Sequence, residues 1–120
     1  MKESILKEKA MDFAIRIVNL YHFLNDKKQE KVMAKQILRS GTSIGANISE
    51  GIYAESTADF IHKHAIAQKE CAETLYWLEL LKRTQYIDPK QYDSLYQDCT
   101  ELHKMITSTI ITSKKSHPTK

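Results

Sequence analysis

Four stretches of this chain carry apolar residues at alternating intervals of three and four, and no other feature restricts its fold so strongly. In the first stretch Leu6, Ala10, Phe13, Ile17, Leu20 and Leu24 recur at spacings of 4, 3, 4, 3 and 4. An α-helix turns once every 3.6 residues, so this spacing holds one row of side chains on one side of a helix. A strand would need alternation at every second residue. The second stretch repeats the rule through Ala34, Ile37, Gly41, Ile44 and Ile48, and the third through Phe60, Ile61, Ala65, Ala67, Cys71, Ala72, Leu75 and Leu78. The fourth carries Tyr92, Leu95, Cys99, Leu102, Ile106 and Thr109 or Ile110. Only 3 Gly and 2 Pro stand in 120 residues, so few backbone breakers interrupt these runs.

Local signals set the boundaries. Asn25 and Asp26 form a polar turn, and Gly51 with Ala54, Glu55 and Ser56 ends the second run. Ser56 and Asp59 can cap a third helix, with a hydroxyl for its free N–H groups and a carboxylate near its positive end. Asp88–Pro89 is an N-cap followed by proline at the first helical position, where a missing N–H costs nothing. The expected helices cover about 4–25, 28–53, 57–84 and 89–111. Rods of similar length joined by short turns run antiparallel to their sequential neighbours, so the expectation is an all-α, antiparallel up-and-down four-helix bundle over 1–111. Residues 112–120 are polar and basic and contain Pro118; they are expected to form a disordered tail.

Two helices carry more than a core stripe. In the second, Gly41, Gly45 and Ser49 recur every four residues and leave a strip of small side chains for close helix packing. The apolar spacing passes both glycines without a phase slip, so the helix is expected to be continuous although each glycine costs about 1 kcal/mol. In the third, Ile66, Trp77 and Leu81 fall roughly opposite Ile61 and Leu75. They are the candidate oligomer interface, because an indole with a polar N–H suits a half-wet contact between subunits. The alternative is a Trp77 shielded by long side chains within one chain.

Constellations for catalysis or metal binding are not apparent. Asp59 and His62 make a single Asp-x-x-His pair, where a di-metal bundle needs two such pairs with further carboxylates. His62 and His64 are two apart and point in different directions. Ser40–Gly45 differs from a phosphate-binding loop in glycine spacing, in the residues that follow and in lacking a strand before it. No serine sits in a nucleophile elbow. The expectation is a protein that is not an enzyme and takes no cofactor. Cys71 and Cys99, with no CxxC pair, read as buried thiols of a reducing cytoplasm. Met1–Lys2–Glu3 begins no signal peptide, and no apolar run approaches the roughly 20 residues that cross a bilayer.

Charge adds one feature with geometry. The net charge is +3, and on a helix from Lys28 onward Lys28, Lys31, Lys35 and Arg39 fall within about an 80° sector. Thr42, Ser49 and Tyr53 continue it. Cations, hydroxyls and an aromatic ring can contact phosphates and stack a base, so Lys28, Lys31, Lys35, Arg39 and Tyr53 are the candidate nucleic-acid site. A plain solvated helix face also fits these residues. Several copies of the stripe in one assembly would add up, since binding scales with the phosphates neutralised.

Residues 37–52, Ile37-Leu38-Arg39-Ser40-Gly41-Thr42-Ser43-Ile44-Gly45-Ala46-Asn47-Ile48-Ser49-Glu50-Gly51-Ile52, form a recognisable motif. So do Asp59-Phe60-Ile61-His62-Lys63, Ile66-Ala67-Gln68-Lys69-Glu70 and the run from Glu73 to Lys82. Together they resemble the bacterial four-helix-bundle family encoded in intervening sequences of 23S ribosomal RNA genes. The resemblance is strong over the second and third helices and is one of pattern elsewhere. It implies a cyclic homopentamer without known catalysis. It also implies kinship with the basic, pentameric accessory protein of diversity-generating retroelements, which engages nucleic acid and a reverse transcriptase. The implied partners are further copies of this chain and RNA or a nucleic-acid-bound protein; an adaptor that binds only protein is the alternative. One departure stands out: where the family often has Glu-Ala-Arg-Glu-Thr, this chain has Glu70-Cys71-Ala72-Glu73-Thr74, one cation fewer on the third helix.

Overall fold

The computed structural model describes residues 2–117. Four helices follow one another: α1 (Lys2–His22), α2 (Val32–Ile52), α3 (Thr57–Arg83) and α4 (Pro89–Ser116), with one π-helical turn, Phe23–Lys27, at the end of α1. No strand occurs among the described residues. The helices stack side by side into a rod of 50 × 24 × 22 Å. α1 packs on α2, α2 on α3 and α3 on α4, and α4 closes back onto α1.

The core consists of the 3-and-4 rows. Leu6, Phe13, Ile17 and Leu24 of α1 and its π turn meet Ile37, Ile44 and Ile48 of α2, Leu78 of α3, and Leu102 and Ile106 of α4, all essentially inaccessible. Each such side chain contributes about 1.5–3 kcal/mol on leaving water. α3 lies between α2 and α4 and buries one continuous row, His64, Ala67, Cys71, Thr74, Leu78 and Leu81, at spacings of 3, 4, 3, 4 and 3. Leu81, expected on an outward face, is fully buried because it ends this row, on the side where Thr74 meets Ser40 of α2.

The four seams differ in chemistry. Between α1 and α2 the backbones approach closely. A Cβ placed on Gly41 would lie 2.7 Å from Ile17 Cγ1, and one on Gly45 would lie 3.5 Å from Ala10 Cβ. Between α2 and α3 a buried Thr74 hydroxyl donates to Ser40 Oγ at 2.9 Å. Between α3 and α4 two buried thiols meet, the Cys99 Sγ–H donating to the Cys71 carbonyl oxygen at 3.6 Å. Hydrogen bonding to Cys71, with burial second, pushes the Cys99 thiol well above its ordinary range. The fourth seam, α1 against α4, is the most sparsely packed and is bridged by charges. Lys9 meets Glu101 at 3.0 Å, and Arg16 meets Asp98 at 2.7 Å and Ser94 Oγ at 2.9 Å.

Three boundaries depart from the sequence expectation. α2 starts at Val32, not near 28. Residues 28–31 close the turn, Gln29 adopts a left-handed backbone (φ 57°), and the Met33 N–H donates to Glu30 Oε1 at 2.6 Å, so Glu30 takes the place of a conventional cap. α4 runs on through Ser116, so residues 112–116 of the expected disordered tail are helical. Buried Ile110 anchors this end, and Lys114 and Lys115 sit in the last turn, where the helix dipole favours cations. Residues 118–120 of that tail lie outside the described residues. Finally, α1 runs into a π turn in place of an abrupt end at Asn25, with the Lys28 N–H bonding to the Phe23 carbonyl oxygen at 3.2 Å.

Candidate nucleic-acid and assembly surfaces

The five-residue basic site read from the sequence does not survive as one patch. Lys28 lies in the turn before α2 and shares no helical phase with Lys35, whereas Lys31 caps α2 and its carbonyl oxygen accepts the Lys35 N–H at 3.4 Å, one turn below it. Lys28 places its ammonium 5.6 Å above the Phe23 ring, at the turn end of the bundle. Tyr53 follows the other end of α2. A helix of 21 residues separates it from Lys31, about 30 Å at 1.5 Å per residue. It is 82% exposed and stands alone.

Arg39 is committed elsewhere. Its guanidinium bonds Glu73 Oε2 and lies 3.5 Å from Glu70 Oε1, joining α2 to α3. The Trp77 indole N–H donates to the same Glu73 oxygen at 3.0 Å. Arg39, Glu70, Glu73 and Trp77 thus form one clasp beside the Ser40–Thr74 contact. A half-exposed pair of this kind contributes about 0–1 kcal/mol, but it removes Arg39 from the cations available to a phosphate. The partners lie 31 and 34 residues away in sequence, which is why helical phase alone could not reveal them. By contrast, Lys31 and Lys35 are exposed and make no ion pair among the described residues.

The assembly candidates on α3 are rearranged as well. Leu81 lies inside the bundle, beyond reach of a second copy. Trp77 packs half-buried against the core with its N–H in the clasp, and Ile66 is half-buried. The larger outward apolar surface lies on α1 instead, where Met11, Ile15 and Val18 recur at 4 and 3 on the side opposite the core row. Met11 and Ile15 are more than half exposed. This stripe follows the same spacing rule that identified the helix, so the signal was present in the sequence. Of the close-packing strip, Gly41 and Gly45 face α1, while Ser49 is half-buried.

Asp59 and His62 do not form part of a metal centre in this geometry. The Asp59 carboxylate accepts from the Glu55 N–H at 3.4 Å, its own N–H donates to Ser56 Oγ at 3.0 Å, and His62 points to solvent. Among the described residues no group of three or more His, Cys, Asp or Glu is placed to hold a metal ion. None of the described helices is long and apolar enough to cross a membrane.

Residues 2–108 match the family described as 23S rRNA-intervening sequence protein. Among solved structures, the chain is similar to a crystal structure from Bacteroides thetaiotaomicron, described as a protein with unknown function from the S23 ribosomal protein family. The two are 58% identical with a TM-score of 0.91, over 92% of this chain and 98% of that one. No curated protein matches the chain. A match over nearly the whole bundle leads to one assignment: the chain belongs to the 23S rRNA-intervening sequence protein family.

Proposed function

We propose that this chain is a non-catalytic bundle that associates with copies of itself, as a homopentamer, and contacts RNA through lysines left unpaired on its surface. The observation that carries the reading is the division of its surface. α1 turns Met11, Ile15 and Val18 outward in line, and a second copy would remove that apolar row from water. The half-buried Ile66 and Trp77 of α3 are further candidates for the contact. Meanwhile Lys9, Arg16, Arg39, Lys63 and Arg83 are neutralised within the chain, but Lys31 and Lys35 are not. A ring would repeat these lysines around its circumference, and affinity for a polyanion grows with each phosphate neutralised.

Light scattering on the purified chain tests the first half: a monomer at micromolar concentration would rule out self-association, and Met11→Glu with Ile15→Glu is expected to dissociate an oligomer. A salt-dependent binding assay with structured RNA tests the second. Lys31→Glu with Lys35→Glu is expected to weaken binding and flatten its salt dependence. Absence of RNA binding at low salt, together with capture of a protein partner, would replace this reading with that of a protein-only adaptor.

A further inference from the structure

At the end of the bundle where α1 turns into α2 and α3 into α4, a groove of about 480 Å³ opens. This is within the range of small-ligand sites, roughly 300–1,000 Å³. Phe23, Lys28, Lys82, Gln85, Tyr86 and Asp88 contribute to its lining. Phe23 and Tyr86 are half-buried, with their rings packed against the core. The two lysines are held over aromatic rings, not carboxylates: Lys28 lies 5.6 Å from the Phe23 centroid and Lys82 lies 4.3 Å from that of Tyr92. Such contacts orient an ammonium group without cancelling its charge. Gln85 reaches the groove from a left-handed turn (φ 67°), and its amide makes no hydrogen bond among the described residues. Asp88 is the one acid of the lining. Its carboxylate accepts the Gln91 N–H at 2.7 Å and is committed to the start of α4.

We infer that this groove binds one nucleotide of a single-stranded nucleic acid, with Lys28 and Lys82 on the flanking phosphates, Tyr86 and Phe23 against the base and the Gln85 amide at the base edge. The inference rests on the RNA reading above and names its site. Each group has a counterpart in a nucleotide: cations match phosphates, an aromatic floor matches a base face, and an amide matches the donor–acceptor edge of a base. A bare anion would leave the aromatic groups without a role, and an acidic peptide would leave the amide and rings without a planar partner. An unpaired strand is required because a duplex keeps its base faces stacked on one another.

The test uses the full chain and a fluorescently labelled six-nucleotide single-stranded RNA, followed by anisotropy at low and moderate salt. Lys28→Gln with Lys82→Gln, both at exposed positions, is expected to weaken binding on the order of tenfold. It should also lower the salt slope by about 1.4, since each phosphate contact on a single strand contributes about 0.7. Lys31→Gln with Lys35→Gln is the comparison. If that pair carries the whole loss and the groove pair none, the groove is refuted while the RNA reading stands. Failure of every RNA to bind at low salt refutes both. Equal affinity for base-free polyphosphate of matched length refutes the base contact. Equal affinity for polyglutamate, with the same dependence on Lys28 and Lys82, refutes the nucleotide in favour of an acidic protein.

Discussion

Gly41 and Gly45 stand one turn apart on α2 and face the same helix, yet alanine at the two positions should move stability in opposite directions. A Cβ on Gly41 would lie 2.7 Å from Ile17 Cγ1, 2.8 Å from Cγ2 and 3.2 Å from Cβ. Carbon atoms rest at about 3.5–4.0 Å, so some contacts must lengthen by close to 0.8 Å. Ile17 has no room to give way: it is fully buried, and a β-branched side chain in a helix has essentially one rotamer. The helices must therefore separate. Overpacking costs about 1–3 kcal/mol against about 1 kcal/mol gained by replacing a helical glycine. With three atoms in conflict, Gly41→Ala should lose about 1–2 kcal/mol net. On Gly45 the nearest atoms are Ala10 Cβ at 3.5 Å and Ala10 O at 3.6 Å, ordinary contacts. Gly45→Ala should therefore keep most of the helical gain, up to about 1 kcal/mol. The assay is urea denaturation followed by far-UV circular dichroism at one protein concentration, because association makes stability concentration-dependent. A cycle with Ile17→Ala locates the cause. That change alone should cost about 2–5 kcal/mol. Combined with Gly41→Ala it should cost distinctly less, because the added methyl group occupies part of the vacated space. Gly41→Ala as stable as the parent, or both alanines shifting stability the same way, would refute the reasoning.

Gln85 occupies the left-handed position of the turn that ends α3, with the Tyr86 N–H returning to the Leu81 carbonyl oxygen at 2.9 Å. Gln85→Gly should therefore raise stability by about 0.5–1 kcal/mol, read as a higher urea midpoint with unchanged slope. Hydrogen bonding to Cys71 and burial raise the Cys99 pKa in the folded chain, so the folded state holds a proton that the unfolded state releases. That stability is fully present below the ordinary thiol range near pH 9.0 and is lost as pH rises above it, by about 1.4 kcal/mol per unit. Burial, with a smaller effect from Tyr96, raises the Tyr92 pKa and adds to the loss above pH 10.0. Cys99→Ala should flatten this decline in denaturation curves measured at increasing pH. Glu73→Gln weakens the hold on Arg39 and replaces the carboxylate that accepts from Trp77. It should shift the emission of the single tryptophan and strengthen RNA binding severalfold at low salt; unchanged emission would contradict the clasp.

The four helices were legible because their spacing is a local property: each run of Leu, Ile and Ala at 3 and 4 specifies a helix without reference to its neighbours. Which neighbour covers which arc is not local. Leu81 looked outward because the core face was centred on Ile61 and Leu75; the docked helices centre it instead on Ala67, Thr74 and Leu78, and Leu81 then falls in the buried row. The turn at 28–31 was hidden for a different reason. Lys28, Gln29, Glu30 and Lys31 are all fair helix formers, and the break is made by a left-handed Gln29 in place of a glycine or proline. Arg39 shows the limit for site residues. Its position in the lysine stripe could be read from helical phase, but its capture by Glu70 and Glu73 depends on how α2 docks against α3. The α1 stripe of Met11, Ile15 and Val18 could have been read by the same rule as the core row, yet periodicity alone does not rank two rows on one helix.

The α1–α4 seam gives the rod a grain. Two of its four lengthwise joints rest mainly on carbon against carbon or on buried thiol contacts, which dissolved salt barely touches. The α2–α3 joint sets a buried hydroxyl contact and the most extensive packing beneath its Arg39 and Lys63 ion pairs. The fourth is tied by Lys9–Glu101 and Arg16–Asp98 at half-exposed positions. Salt shortens the reach of those ties to about 8–10 Å at moderate ionic strength and to about 3 Å at high. Mechanically the molecule should behave as a three-helix spine, α2–α3–α4, with α1 packed along its glycine-lined edge on α2 and latched by charges along the other. Amide protection should thin out first along the latch as salt is raised, so the same ions that weaken a grip on phosphate would also loosen the helix that carries the outward stripe.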